Sequence, residues 1–387
     1  MEFSPEITRS LTLEFAKLAR EKNLRGDRIV SLGLGEPGFA TPDSIVKATI
    51  EALNTGYTRY SNSKGLIELR ELISEKLISE NQIETDPRNI IVTPGAKQAL
   101  LLSLMATLSP YDEVINFTPC YVSIVPQIKI AEPTSKIHNI DFNKDDFSIN
   151  WGLFKKKINS KTKTIIINSP NNPTGKMFSN NDFLQFIEIV RSYECYILSD
   201  EIYEKLIFDN INHISPGAFK EIQDRGITIN GFSKSCSMTG WRIGYVNAEE
   251  KTINRIERLQ QHMNTNTATF IQKGACEAFK IDNGYLKEYN FGLKRKVLYL
   301  ENTLAKSQKI SFVPPKGSFF AFLNIGKSGL SSDNFATELL GRKGVAVTPG
   351  IAFGANWDDH IRISMAVDYK EFVEGIDLIY EFCAENL

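Results

Sequence analysis

Several broad protein classes are excluded by what this chain of 387 residues lacks. Its five cysteines, Cys120, Cys195, Cys236, Cys276 and Cys383, stand singly with no Cys-x-x-Cys pair, which argues for reduced core thiols and against a disulfide framework or a zinc site. Only four histidines occur, with no His-x-x-x-His or His-Glu pairing, so no metal is expected. Neither sign of charge is in excess: 45 Lys and Arg against 46 Asp and Glu give a formal net charge of -1, which leaves no basic surface for nucleic acid and no polybasic membrane anchor. Apolar runs such as 100–106 fall far short of the roughly 20 residues that span a bilayer. The N-terminus is acidic, with no cationic patch ahead of an apolar stretch, so no secretory leader is expected and a cytoplasmic location follows. Internal repeats, low-complexity tracts and Gly/Ser linkers are absent too.

What remains is globular protein with 42% hydrophobic and 24% charged residues, enough for a large core and two domains. Short β-branched runs at 89–93, 113–117, 164–168, 196–199 and 227–230 alternate with amphipathic stretches, which predicts α/β architecture around a largely parallel sheet covered on both faces. Residues 45–285 would form this large domain. A long charged helix over 284–302, the runs 318–323, 345–347 and 360–364, and a closing helix over 369–386 predict a smaller α+β unit over 286–387. Segment 1–44 would join it as an N-terminal arm, with a cleft between the two units.

The chemistry concentrates in Gly231-Phe-Ser-Lys-Ser-Cys-Ser-Met-Thr-Gly-Trp-Arg242. An amine such as Lys234 can form an imine with an aldehyde, and an arginine brought near by a compact turn can grip a dianionic phosphate. Pyridoxal 5'-phosphate (PLP) carries both groups, together with a ring nitrogen that needs an acidic partner. Asp200 ends an apolar run and would deliver that acid at a strand's C-terminal end, where open α/β sheets bind ligands. A plain strand cap is the alternative, but an acid there is costly unless partnered.

Other candidates gather around this pair. Gly95, Ala96 and Lys97 follow a strand and open a helix, so backbone amides would face an anion and, with Ser233 and Arg242, complete a phosphate cup. The loop 169–175 would aim the Asn172 amide at a phenolic oxygen, though such a loop is often a simple turn. Tyr203 would donate to the same oxygen or merely pack. Tyr121 would stack on a ring or lie in the core. Arg362 sits inside an apolar strand and needs a counterion, either a substrate carboxylate or an internal salt bridge.

Together with Leu32-Gly-Leu-Gly35-Glu-Pro, Tyr57-Thr-Arg-Tyr60, Val347-Thr-Pro-Gly350 and Phe353-Gly, these motifs resemble the fold-type-I PLP enzymes, specifically class I/II aminotransferases of the aspartate aminotransferase superfamily. The resemblance covers nearly the whole chain. It implies that Lys234 is the aldimine lysine and proton shuttle, Asp200 the ring-nitrogen partner, Tyr203 and Asn172 the ring-oxygen contacts, and Gly95, Ala96, Lys97, Ser233 and Arg242 the phosphate cup. It further implies that Tyr121 stacks on the cofactor, that Gly35, Asn172 and Arg362 hold the substrate carboxylate, and that Tyr60 reaches the phosphate of a partner subunit in a homodimer with shared sites. The implied reaction passes the amino group of an L-amino acid to a 2-oxo acid by a ping-pong route.

The chain departs from the family pattern in three places. Gly38 stands where relatives usually have Asp, Tyr121 where Trp or Phe is common, and Gly231 where many place a serine near the phosphate. Segments 98–108 and 262–272 hold no Lys or Arg for a second carboxylate, so strict aspartate specificity is not expected. Phe15, Phe319, Phe320 and Phe353 are read as core more readily than as an apolar substrate pocket, and Glu14 and Asp27 as solvated surface. The same apparatus also supports oxygen-dependent oxidation of an amino acid such as arginine, an elimination, or binding without turnover.

Overall fold

The structure is a computed structural model that describes residues 6–385 apart from Thr8, Asp209, Asn210 and Asn283. Residues 1–5 of the expected N-terminal arm and residues 386 and 387 of the expected C-terminal unit lie outside the described residues.

Ile165, Ile166 and Ile167 are consecutive and all buried, a pattern that suits a parallel strand with helices on both faces. They belong to a seven-stranded sheet in the order Ile90–Thr93, Gly244–Ala248, Gly226–Gly231, Tyr196–Asp200, Thr162–Asn168, Glu113–Thr118, Lys136–Asp141. All neighbours run parallel except those of Gly244–Ala248, which is antiparallel to both of its partners. The five β-branched runs of the sequence all fall in this sheet, whereas Lys136–Asp141 and Gly244–Ala248 were not anticipated. The helix that follows the loop 169–175 begins at Asn180, because Ser179 and Asp182 exchange hydrogen bonds as a capping box.

A second, antiparallel sheet has the order Thr348–Pro349, His360–Ser364, Phe320–Asn324, Ser311–Phe312. Helices Gly284–Leu304 and Tyr369–Glu385 share with it a core that includes Phe319, Phe335, Phe372 and Phe382. Val30–Ser31 pairs in parallel with Val345–Ala346, which fastens the N-terminal segment to the C-terminal part of the chain. All five cysteines are free, and all but Cys276 are buried. Among the described residues no helix is long and apolar enough to cross a membrane.

Candidate active site

The C-terminal ends of the parallel strands open into a cavity of about 600 Å³. Of the residues singled out from the sequence, Gly35, Ala96, Lys97, Tyr121, Asn172, Asp200, Tyr203, Ser233, Lys234, Arg242 and Arg362 all line it. Gly95 lies just behind, where a Cβ would stand 2.6 Å from Nη2 of Arg242. Tyr60 is not part of the cavity, and its side chain is 85% exposed.

Strand Tyr196–Asp200 ends on the buried carboxylate of Asp200, whose Oδ1 accepts the backbone N–H of Ile202 at 3.2 Å. Burial pushes this acid up to about 6, and the neighbouring charge of Glu201 adds to the shift. Burial likewise holds the Tyr203 phenol above its ordinary range. Lys234 Nζ donates to the carbonyl of Gly35 at 2.5 Å and lies 5.9 Å from the ring centre of Tyr203. Its ammonium is pushed down to about 8, first by burial and then by Arg362 and Arg242, against the pull of Glu36.

Arg362 stands in the middle of strand His360–Ser364 and is buried. Nη2 donates to Gly33 O at 2.9 Å and to Thr348 Oγ1 at 3.2 Å, and Nη1 donates to Asn172 Oδ1 at 3.1 Å. The guanidinium lies 4.0 Å from the ring centre of Phe320, and its buried Nε has no partner among the described residues. None of these partners is a carboxylate, so the internal salt bridge weighed for Arg362 is not formed. Burial lowers its proton affinity to about 10, as expected for a cation that still lacks an anion.

The loop after strand Thr162–Asn168 is held by its own residues. Asn168 Oδ1 accepts the Asn172 N–H at 2.8 Å while Asn168 Nδ2 donates to Asp200 O at 3.0 Å. With Oδ1 of Asn172 taken by Arg362, its Nδ2 has no protein partner among the described residues. On the opposite wall, helix Ala96–Thr107 starts at the cavity edge, and Lys97 Nζ lies 5.7 Å from the ring centre of Tyr121. Arg242 donates from Nη1 to Thr239 O at 2.7 Å.

Gly231 does not line this cavity. A Cβ there would meet Gly244 Cα at 2.9 Å, and one on Gly244 would meet Ala96 N at 2.6 Å. Two glycines thus let strands and helix start approach closely, which leaves no room for a serine at 231. Phe320 reaches the cavity, whereas Phe15, Phe319 and Phe353 sit in core clusters. Sequence reasoning missed Thr12, Leu13 and Ala16 of helix Leu11–Leu24, which also line it; helical periodicity locates the helix but not what it covers. It also missed a cluster beneath the Asp200 turn, where buried Glu201 accepts from His213 at 2.7 Å and Ser215 at 2.5 Å. Glu204 there already pairs with the Lys76 ammonium.

A lysine of lowered proton affinity, a buried acid of raised affinity and a buried arginine without a counter-anion form a set suited to proton transfer on an anionic substrate. The family model described as aminotransferase class I and II matches residues 27–379. The chain belongs to the class I and II aminotransferases. It is 37% identical to an aspartate aminotransferase of Pyrococcus abyssi, over 92% of each chain. It is 34% identical to aromatic-amino-acid aminotransferase 2 of Thermococcus litoralis, again over 92% of each. The crystal structure of the aromatic aminotransferase from Pyrococcus horikoshii superposes with a TM-score of 0.89 at 36% identity, covering 95% of this chain and 99% of that one. This aminotransferase therefore shares the fold of its relatives, and apart from Thr12, Leu13 and Ala16 the lining of the cavity just described falls within the matched span.

Proposed function

We propose that this aminotransferase uses pyridoxal 5'-phosphate to move the amino group of an L-amino acid to a 2-oxo acid in two half-reactions at one site. The observation that carries the reading is the convergence of Lys234, Asp200 and Arg362 on a single cavity. The residues fit the cofactor: the guanidinium of Arg242 lies against Gly95 where any Cβ would intrude, beside the start of helix Ala96–Thr107, a cradle suited to a phosphate. When bound, the cofactor supplies an aldehyde for imine formation and a ring that withdraws electrons from the substrate α-carbon.

Everything else falls to the chain's own side chains. Lys234, at about 8, holds or releases a proton at Nζ near neutral pH and so serves as the base for the α-proton and the acid that returns it. Asp200 in its ionised form would hold a proton at the ring nitrogen, and its carboxylate would stay charged in its buried position only beside such a cation. Tyr203 and the free Nδ2 of Asn172 would donate to the ring oxygen, and Tyr121 would pack on the ring. Arg362, its three acceptors being neutral, grips the substrate α-carboxylate with the help of Asn172 and the Gly35 backbone. The cavity that would receive the substrate side chain is lined both by Lys97 and by Leu13 and Ala16, a charge and an apolar surface. That arrangement suits both acidic and aromatic side chains, the two classes that the names of the relatives carry.

The exposed ring of Tyr60 fits a homodimer in which it completes the partner's phosphate cup, and a cytoplasmic setting suits the free thiols. The test is to purify the protein with the cofactor, supply amino acids with and without a 2-oxo acid, and follow oxygen and absorbance. Aminotransfer needs the acceptor and ignores oxygen, while oxygen uptake without an acceptor would establish an oxidase. Lys234→Ala should abolish turnover while the phosphate cup still retains cofactor. Normal activity in that variant would refute the assignment.

A further inference from the structure

Two glycine carbonyls receive the site's main cations: Gly35 O accepts Lys234, and Gly33 O accepts Arg362. Both belong to an extended segment with little regular structure of its own, so something else must fix it. The following residues provide the attachment. The Phe39 ring packs edge-on against Tyr285 and Tyr289, with centroids 5.6 Å and 4.8 Å apart. These two tyrosines lie one turn apart on helix Gly284–Leu304 and therefore present neighbouring rings to one side.

Each tyrosine also makes a polar contact with a different wall of the cavity. Tyr285 Oη donates to Ser235 O at 2.8 Å, one residue from Lys234. Tyr289 Oη accepts the Gly38 N–H at 3.3 Å, three residues from Gly35. Ser237 Oγ donates to Phe39 O at 2.5 Å, which stitches the segment directly to the lysine loop. A Cβ on Gly38 would stand 1.8 Å from Ala366 O, so this backbone also lies flush against the end of the Arg362 strand. A cavity of about 490 Å³ borders Phe39 and both tyrosines, which gives the ring room to leave its seat.

We propose that Phe39, seated between Tyr285 and Tyr289, is a positioning latch that holds the Gly33–Gly35 backbone in register with Lys234 and Arg362. It touches neither substrate nor cofactor and acts through those two carbonyls. The inference rests on the proposed roles of Lys234 and Arg362. Its consequence is specific: with the latch released, the carboxylate clamp loses its backbone partners while Lys234 and Asp200 remain to do the chemistry. Substrate binding suffers more than turnover.

The experiment compares Phe39→Ala, Phe39→Tyr and the double variant Tyr285→Phe with Tyr289→Phe in cofactor-loaded protein. It records kcat, KM, the thermal midpoint and, by calorimetry with and without cofactor, the Kd of succinate as an unreactive dicarboxylate. Phe39→Ala should raise KM and the succinate Kd about tenfold with kcat changed less than about threefold, and Phe39→Tyr should restore both to within about twofold. The double variant keeps all three rings and loses the phenol contacts of Tyr285 to Ser235 O and Cys236 Sγ and of Tyr289 to the Gly38 N–H. It should fold like the parent and raise KM about threefold, the lower end of what losing neutral hydrogen bonds costs. A lowered thermal midpoint with unchanged KM and Kd in Phe39→Ala, or an unaltered double variant, overturns the latch. Should Lys234→Ala stay active, the underlying reading fails first; should it be inactive while Phe39→Ala binds normally, only the latch fails.

Discussion

Asp200 and Lys234 are poised so that each costs the cofactor-free fold stability over a different pH range. The folded value of Lys234, about 8, lies below its ordinary 10.5, so the chain pays for a buried ammonium at neutral pH. That cost is full below about 8 and fades as pH rises toward the unfolded value. Lys234→Met should therefore make the cofactor-free protein more stable at pH 7 by about 2 kcal/mol, with the advantage vanishing near pH 10.5. For Asp200 the folded value of about 6 exceeds the ordinary 3.8, so the native state holds the extra proton between them and stability falls as pH rises through that window. Asp200→Asn should gain on the parent above pH 6 and match it below pH 4. Urea unfolding of cofactor-free protein across pH checks both, and a variant less stable than its parent at every pH would contradict the electrostatic reading. At this scale Lys234, Arg242, Asp200 and Arg362 were legible because one residue type does one kind of chemistry at a recognisable place in a motif. Phe39 and Thr12 were not, since an aromatic or a threonine in a loop or helix says nothing about a surface it meets hundreds of residues away.

At the level of elements, the sheet was readable where strands carry β-branched runs and unreadable where they do not. Thr162–Asn168 and Gly226–Gly231 announce themselves by β-branched runs. Lys136–Asp141 is an edge strand of mixed burial whose sequence, Lys-Ile-His-Asn-Ile-Asp, alternates too weakly to stand out. Gly244–Ala248 begins just past the Lys234 motif and has only five residues, yet it supplies the antiparallel link between Gly226–Gly231 and Ile90–Thr93. Its first residue matters most. Because a Cβ on Gly244 would stand 2.6 Å from Ala96 N and 2.9 Å from Asn230 O, Gly244→Ala would push the start of helix Ala96–Thr107 outward. Overpacking of this kind should cost about 2 kcal/mol of stability. It should also weaken inorganic phosphate or cofactor binding by more than it weakens succinate binding, since the displaced amides belong to the phosphate cradle and not to the Arg362 clamp. Equal loss for both ligands in calorimetry would show that the helix start is not part of that cradle.

The whole molecule leaves one motif residue unexplained within a single chain. Tyr60 is 85% exposed, although the motif around it was picked out with the same regularity as those lining the cavity. Exposure of that size suits a ring that covers another copy's site, and Arg242, open to solvent at the cavity edge, is the cation such a ring would approach. Cross-subunit assignment can be tested by complementation. Lys234→Ala supplies an intact Tyr60 but no amine, and Tyr60→Ala supplies the amine but no ring. Each homodimer then has two defective sites, the first without turnover and the second with weakened cofactor binding. In a mixed dimer the site on the Tyr60→Ala chain meets the intact Tyr60 of its partner and becomes complete, whereas the other site lacks both groups. After the two variants are unfolded and refolded together, half of the dimers should be mixed if association is random, and each should hold one site of parental cofactor affinity. Titrating the cofactor by absorbance should then reveal a tight-binding fraction with full turnover that neither variant shows alone. If Tyr60 instead served the cavity of its own chain, every amine-bearing site in the mixture would still lack its ring, and no tight fraction would form.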